Sequence, residues 1–328
     1  MRLDPDAPLL QVALVLPTGA PPGSGNRVSV DRWSSMLRAA GHRVRVLEAP
    51  GLPNQHLDLD VWIGLHAERS AASLDLALAA SPKVRAITVL TGTDLHREGG
   101  LSPLARHQLE RSDRLVVLSP GGLGLLPGEL RARTRTIPQV PGDLEPTPLP
   151  GGTPTLAMLG HLRPVKDPLV VLDALGHLSE SAPLRIVHAG EPLDPALASR
   201  CEQASAEDPR YSYLGRIPRS QALATLESSH GLLLPSRSEG GASVLSEALL
   251  LGRAVIASDA PGITAFLPKY YGGIFPVGSA NNLAALLERF AAQSSWRQEL
   301  TEQCVAMGAQ LRSVEEAKAW QDLVTDRA

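Results

Sequence analysis

The sequence predicts an α/β protein of two doubly wound domains, each a parallel sheet covered by helices on both faces. Three observations predict it. Short continuous apolar runs alternate with segments of helical periodicity, which is the pattern of strands buried on both faces. Residues 138–154, PQVPGDLEPTPLPGGTP, break the alternation with six prolines and three glycines in seventeen positions. Such a run continues neither a helix nor a central strand, and it reads as a linker. The alternation then resumes, and 328 residues suit about two domains.

The elements follow in order. QVALVLP (11–17) is the first strand and a Pro/Gly loop follows it. In SVDRWSSMLRAAG (29–41), Trp33, Met36, Leu37 and Ala40 share a helical face and Gly41 closes the helix. HRVRVLEA (42–49), VWIGLHA (61–67), VRAITVLTG (84–92) and DRLVVLSP (113–120) are further strands. Beyond the linker come a strand, TLAMLGHL (155–162), a helix, DPLVVLDALGHL, and three more strands, LRIVHAGE, GLLLPS (231–236) and AVIASDA (254–260). The expected division is a first domain over 1–140, a linker over 141–153, a second domain over 154–312 and a C-terminal helix over 313–328. That helix, VEEAKAWQDLVTD (314–326), is free to pack on either domain. Ligands of doubly wound sheets bind beyond the carboxyl ends of the strands, so the expected site is a central cleft that both domains face.

Composition narrows the function classes. Apolar residues make up 43% and aromatics only 3%, so the cores are built of Leu, Val, Ala and Ile. A net charge of −3 gives no basic footprint, so neither nucleic acid nor a membrane is an expected partner. The N-terminal apolar run of about nine residues, after two aspartates, is too short to span a bilayer and lacks a basic start. The two cysteines, Cys201 and Cys304, are too far apart for a disulfide framework, and a reducing cytoplasm is expected. Nine histidines show no H-x3-H or H-E-x-x-H spacing, and no metal or other cofactor is expected. DLD at 58–60 stands before its strand and reads as the end of a loop.

The chemistry concentrates in PSRSEGGASVLSEALLLG (235–252). The strand ends near Ser236, Gly240 and Gly241 allow a tight turn, and a helix begins at Ala242 or Ser243. The free N–H groups of its first turn, with the helix dipole, suit a phosphate. Glu239 precedes the turn and Glu247 lies inside the helix. Ionised carboxylates only accept hydrogen bonds, which suits them to hydroxyl groups. Phosphate on the amides and diols on the glutamates describe a nucleotide sugar.

This E-x7-E segment, followed by LLLGRAVIASDAPG, resembles the signature of glycosyltransferase family 4 on the GT-B fold. The resemblance implies that Glu239 touches the donor sugar and Glu247 the ribose diol. LGHLRPVKDPLVVLDAL (159–175) is similar to the family segment in which an arginine and a lysine grip the diphosphate. Lys166 holds the lysine position. The arginine position is His161, a departure that leaves Arg163 as the residue to serve instead. Two cations on a diphosphate also take the place of a metal at the leaving group. YLGRIPRSQALATLESSHGLLLPS (213–236) is similar to the base-binding region, which puts Arg216 and Ile217 beside the base.

A second anion-shaped loop lies near the N-terminus, where Gly23, Ser24, Gly25 and Asn26 stand between a strand and a helix entrance. Arg27 at that entrance opposes the helix dipole and calls for an anionic partner. PPGSGNRVSVDRWSSMLRAAGHRV, GLHAERSA, LTGTDLHRE, LGHLRPVKDP and SEGGASVLSEALLLGRAVIASDAPG together resemble the selenosugar synthases of selenoneine biosynthesis. That resemblance spans about residues 12–280 and implies UDP-N-acetylglucosamine as donor and selenophosphate as acceptor. A selenium nucleophile is anionic at neutral pH and has little need of a general base. It needs cations or donors around it, and Arg27, His66, Arg69 and Arg97 are candidates, with Thr93 beside them in TGTD. Asp94 either orients a cation or the sugar, or caps the next turn. Two alternatives stand beside this reading: transfer to a hydroxyl or thiol of a small metabolite, with His66 or Asp94 as base, and a non-catalytic nucleotide-sugar-binding regulator.

Overall fold

The structure is a computed structural model and describes residues 8–20, 24–51, 58–95, 100–142, 144–241 and 243–326. The chain forms two compact units. One runs to Gln139 and takes up the chain again from Arg312, and the other spans Val140–Leu311.

The first unit holds a six-stranded parallel sheet of β1 (Gln11–Leu16), β2 (Arg43–Glu48), β3 (Val61–Leu65), β4 (Arg85–Leu90), β5 (Arg114–Val117) and β6 (Thr134–Thr136), in the order β2-β1-β3-β4-β5-β6. Side chains alternate across the pleat, and both faces are buried. Val12, Leu14 and Leu16 point to one core with Val30, Trp33 and Leu37, while Ala13 and Val15 point to another with Trp62, Leu74 and Ala77. The helix over Gly25–Ala39 ends with Gly41 in the left-handed region at φ 103°, as the sequence suggests.

The C-terminal helix, Ser313–Thr325, belongs to this first unit. Trp320 stacks on Trp33 with ring centroids 4.6 Å apart. The buried Glu316 carboxylate accepts from Trp33 Nε1 at 2.9 Å and from Arg32 Nη2 at 2.7 Å. The indole and guanidinium donors sit on the helix facing it, and His42 Nε2 lies 2.8 Å from Gln321 Oε1, so buried polar contacts join the apolar face of Trp320, Leu323 and Val324 in placing this helix on the first unit.

The second unit holds β7 (Thr155–Leu159), β8 (Arg185–Ala189), β9 (Tyr211–Tyr213), β10 (Gly231–Leu234), β11 (Ala254–Ser258) and β12 (Ile274–Phe275), also parallel, in the order β12-β11-β10-β7-β8-β9. β6, β9 and β12 have three, three and two residues and lie at sheet edges. An edge strand need not be apolar on both faces, so none of the three shows as an apolar run in the sequence.

Both strand orders reverse direction once. In the second sheet the reversal falls between β7 and β10, and in the first between β1 and β3. The loops leaving adjacent strands at a reversal part to opposite faces and open a crevice at their carboxyl ends. Four of the motif segments leave these strands, while TGTD follows β4 and the Arg216–Arg219 segment follows β9.

Candidate functional site

In the second unit, the loop after β7 carries His161, Arg163 and Lys166, and the loop after β10 carries Glu239 and the glycine pair. Lys166 ends a short 3-10 turn, Pro164–Lys166, and its Nζ lies 2.5 Å from Glu239 Oε1. The Ser236 hydroxyl donates to the same carboxylate oxygen at 2.6 Å. Glu239 is therefore a buried carboxylate matched by one cation and one hydroxyl. Gly262 closes the arrangement from below: a Cβ there would lie 1.6 Å from the Glu239 carbonyl oxygen. Only glycine lets the two backbones approach so closely.

The helix begins at Ser243 and runs to Leu250, with Gly240 and Gly241 just before it; Ala242 lies outside the described residues. Glu247 is buried on this helix, and its Oε1 lies 2.5 Å from Arg219 Nη2. Arg219 opens the helix Arg219–Glu227, directly after Arg216 and Ile217. Ile217 is half-buried, and Arg216 Nη1 stands 3.5 Å from Glu191 Oε1.

His161 accepts the Glu191 N–H on Nδ1 at 3.1 Å. Burial lowers its pKa, Glu191 opposes that, and Lys166, Arg163 and Arg216 push it further down. One imidazole thus feels three cations gathered from both segments. A neutral His161 adds no charge to a group that already holds three. Arg163 itself is exposed, as a residue that reaches for a ligand would be.

Beneath this loop His188 supports the backbone of Gly160. One ring nitrogen meets the Gly160 carbonyl and Nδ1 is 2.6 Å from the Tyr211 hydroxyl. Burial holds His188 down at about 4. The unfolded chain, with an ordinary histidine near 6.5, binds a proton between these values that the folded chain refuses. Stability should therefore fall as pH drops from about 6.5 toward 4, by at most ~1.4 kcal/mol per pH unit from this group. Urea denaturation across pH 4–7 measures the slope, and His188→Gln should remove this part of it.

In the first unit, part of the loop expected between β1 and the helix entrance is already helical. Gly25 and Asn26 already form the first turn of the helix, because the Ser24 hydroxyl caps it by accepting from Arg27 N–H at 3.4 Å. Arg27 does have an anionic partner, but it is Glu48 at the end of β2. Gly23 and Arg97 lie outside the described residues.

The loop after β3 gives His66 a left-handed backbone, φ 68°. Its buried Nδ1 lies 2.9 Å from Asp94 Oδ1, and the Arg69 N–H is 3.4 Å from the same nitrogen. Of the two roles expected of Asp94, the cap is the one its hydrogen bonds form. Its Oδ2 accepts from the Thr91 N–H at 2.8 Å and the Thr91 hydroxyl at 3.0 Å, in the manner of a capping box, while Oδ1 faces His66. Thr93 takes part through a hydroxyl contact to Thr91 at 3.3 Å.

Sequence reading missed Ser236, Arg219, Glu191 and Gly262. Arg219 and Gly262 fall inside segments already noted, PRSQ and DAPG. Ser236 and Glu191 offer no signal beyond standing at strand ends.

Among known proteins, residues 142–307 match the family described as Glycosyl transferases group 1. Similar relatives include the D-inositol 3-phosphate glycosyltransferase of Corynebacterium efficiens, 27% identical over 57% of this chain and 46% of that protein. A second is the teichuronic acid biosynthesis glycosyltransferase TuaC, assigned putatively in Bacillus subtilis, 31% identical over 27% of this chain and 23% of that one. The chain spans less than half the length of these two curated relatives. Among solved structures, sucrose-phosphate synthase from Thermosynechococcus elongatus has a TM-score of 0.76 at 19% identity, covering 96% of this chain and 98% of that one. Anabaena Alr3699/HepE in complex with UDP-glucose gives 0.75 at 15%, covering 96% and 99%.

Proposed function

The chain belongs to the glycosyl transferases group 1 family and has the GT-B fold of its structural neighbours, and on that footing we propose that it transfers a sugar from UDP-N-acetylglucosamine to selenophosphate. The observation that carries the donor half is the pairing of Lys166 with Glu239 and of Arg219 with Glu247 around one glycine turn. Each cation lies beside a carboxylate, so the site offers charge to a diphosphate and acceptors to hydroxyl groups within a few ångströms. A neighbour solved both with UDP and with UDP-glucose, Anabaena Alr3699/HepE, supports a uridine nucleotide. The selenium acceptor rests on the likeness of five segments to the selenosugar synthases.

In the proposed reaction the anomeric carbon loses its bond to the UDP oxygen and gains one to selenium. Water then cleaves the selenium–phosphorus bond, which gives a 1-selenosugar and phosphate. Lys166, with Arg163, stabilises the charge growing on the departing diphosphate, and the reaction should proceed unchanged in EDTA. Glu239 accepts from donor sugar hydroxyls and Glu247 from the ribose. The test is incubation of the purified protein with UDP-N-acetylglucosamine, with and without selenophosphate, followed by mass spectrometry. A selenosugar formed only with both substrates supports the reading. UDP release without selenium incorporation removes the acceptor, and no UDP release from any UDP-sugar favours a regulatory role.

One observation favours a second reading. His66 and Asp94 stand together at the ends of β3 and β4, with Nδ1 2.9 Å from Oδ1, and a buried histidine beside a carboxylate suits transfer to a hydroxyl or thiol of a small metabolite. His66→Ala separates the two. With an anionic selenium acceptor kcat should fall less than about tenfold, whereas removal of a required base costs about 10²–10⁴-fold.

A further inference from the structure

We infer that Asp167 is a positioning residue that holds Lys166 in register through Arg237. The inference rests on the reading of Lys166 as a diphosphate ligand. Asp167 follows Lys166 directly and stands at φ 46°, ψ 52°, a left-handed conformation that glycine adopts far more readily. It also precedes Pro168, which further restricts its backbone. An aspartate at such a site has an obvious use as an N-cap for the helix Pro168–Gly176, yet its side chain makes no capping hydrogen bond. The carboxylate is buried instead against Arg237, with Oδ2 and Nη2 2.8 Å apart.

Arg237 lies two residues before Glu239, and its N–H donates to the Val165 carbonyl at 2.8 Å. The two loops are therefore stitched three times over a few residues. A backbone bond joins 237 to 165, and two ion pairs of opposite polarity join 166 to 239 and 167 to 237. Lys166 stands between the other two ties, the backbone bond at Val165 and the ion pair at Asp167, so the place of its backbone between the two loops is fixed from both sides. Burial raises the Asp167 pKa and Arg237 opposes the rise, which agrees with a carboxylate enclosed for the sake of one partner.

The test is UDP binding by isothermal titration calorimetry on the full chain. Asp167→Gly keeps the left-handed backbone and removes the ion pair, and Arg237→Gln removes it from the exposed side. Each should weaken UDP binding about tenfold and raise the donor KM with the acceptor KM unchanged. In a Lys166→Ala background either change should alter UDP affinity by less than about twofold, because the effect acts through Lys166. Wild-type affinity in both variants, or a loss undiminished in the Lys166→Ala background, would overturn the inference. A wild-type protein that does not bind UDP would instead overturn the donor-site reading, and this inference with it.

Discussion

Lys166→Ala is expected to lower kcat by about 10²–10³-fold, the range seen when one preorganised donor to a developing anion is lost. The side chain is about a quarter exposed, so its removal opens no core cavity, and the melting temperature should stay within a few degrees of wild type. Two losses combine in the variant. The departing diphosphate has only Arg163 to meet its charge, and Glu239 keeps only the Ser236 hydroxyl. A buried carboxylate without its cation is costly, and a displaced Glu239 would misplace the sugar as well. Lys166→Arg separates these effects, since it restores charge with a different, planar geometry. Steady-state UDP release is the measurement. A fall of less than about tenfold in kcat for the alanine variant would show that Lys166 does not stand at the leaving group.

Much of this arrangement was legible before any coordinates. The long central strands are continuous apolar runs because both faces of a parallel sheet are covered, and each was placed to within a few residues. Glu239 and Glu247 stood out because they bracket a glycine turn at a helix entrance, and Lys166 because its segment resembles the family's diphosphate-binding one. Their partners did not. Arg219, Arg237 and Asp167 are charged residues in polar segments, and nothing in such a segment tells a solvated arginine from one aimed at a carboxylate 28 or 70 residues away. Arg27 shows the converse. Its need for an anion was correctly read from the helix dipole, but the anion is Glu48 on a neighbouring strand, a partner that sequence distance conceals. The C-terminal helix was ambiguous for a similar reason: its apolar face does not name a core, and the polar partners that join it to this one, Arg32 and Trp33 for Glu316 and His42 for Gln321, lie far away in sequence.

Arg253→Ala is expected to destabilise the second unit by about 3–5 kcal/mol, the cost of breaking a buried charged network. The side chain is fully buried, and among the described residues no carboxylate is hydrogen-bonded to it. Its charge is met by carbonyls and by the Thr147 hydroxyl instead. Nη1 donates to Thr147 O at 2.8 Å and Leu251 O at 3.1 Å, and Nη2 to Glu227 O at 2.7 Å and Pro148 O at 3.3 Å. Alanine would leave these oxygens, most of them part-buried, without their donor, and each one that stays shielded from water costs about 1–3 kcal/mol. Arg253→Met fills most of the volume without restoring a donor, so the difference between the two variants isolates the cavity from the lost bonds. The consequence reaches the site. Gly252, at φ 65°, ends the helix Ser243–Leu250 in a Schellman turn that is completed by Arg253 N–H on Ala248 O at 2.8 Å. Glu227 ends the helix that begins with Arg219. One guanidinium thus ties the ends of the two helices whose side chains form the Arg219–Glu247 pair. UDP affinity should therefore weaken together with stability, at temperatures where the variant is still folded. Chemical denaturation with and without UDP checks both, and an alanine variant within 1 kcal/mol of wild type would mean that water replaces the guanidinium at these carbonyls.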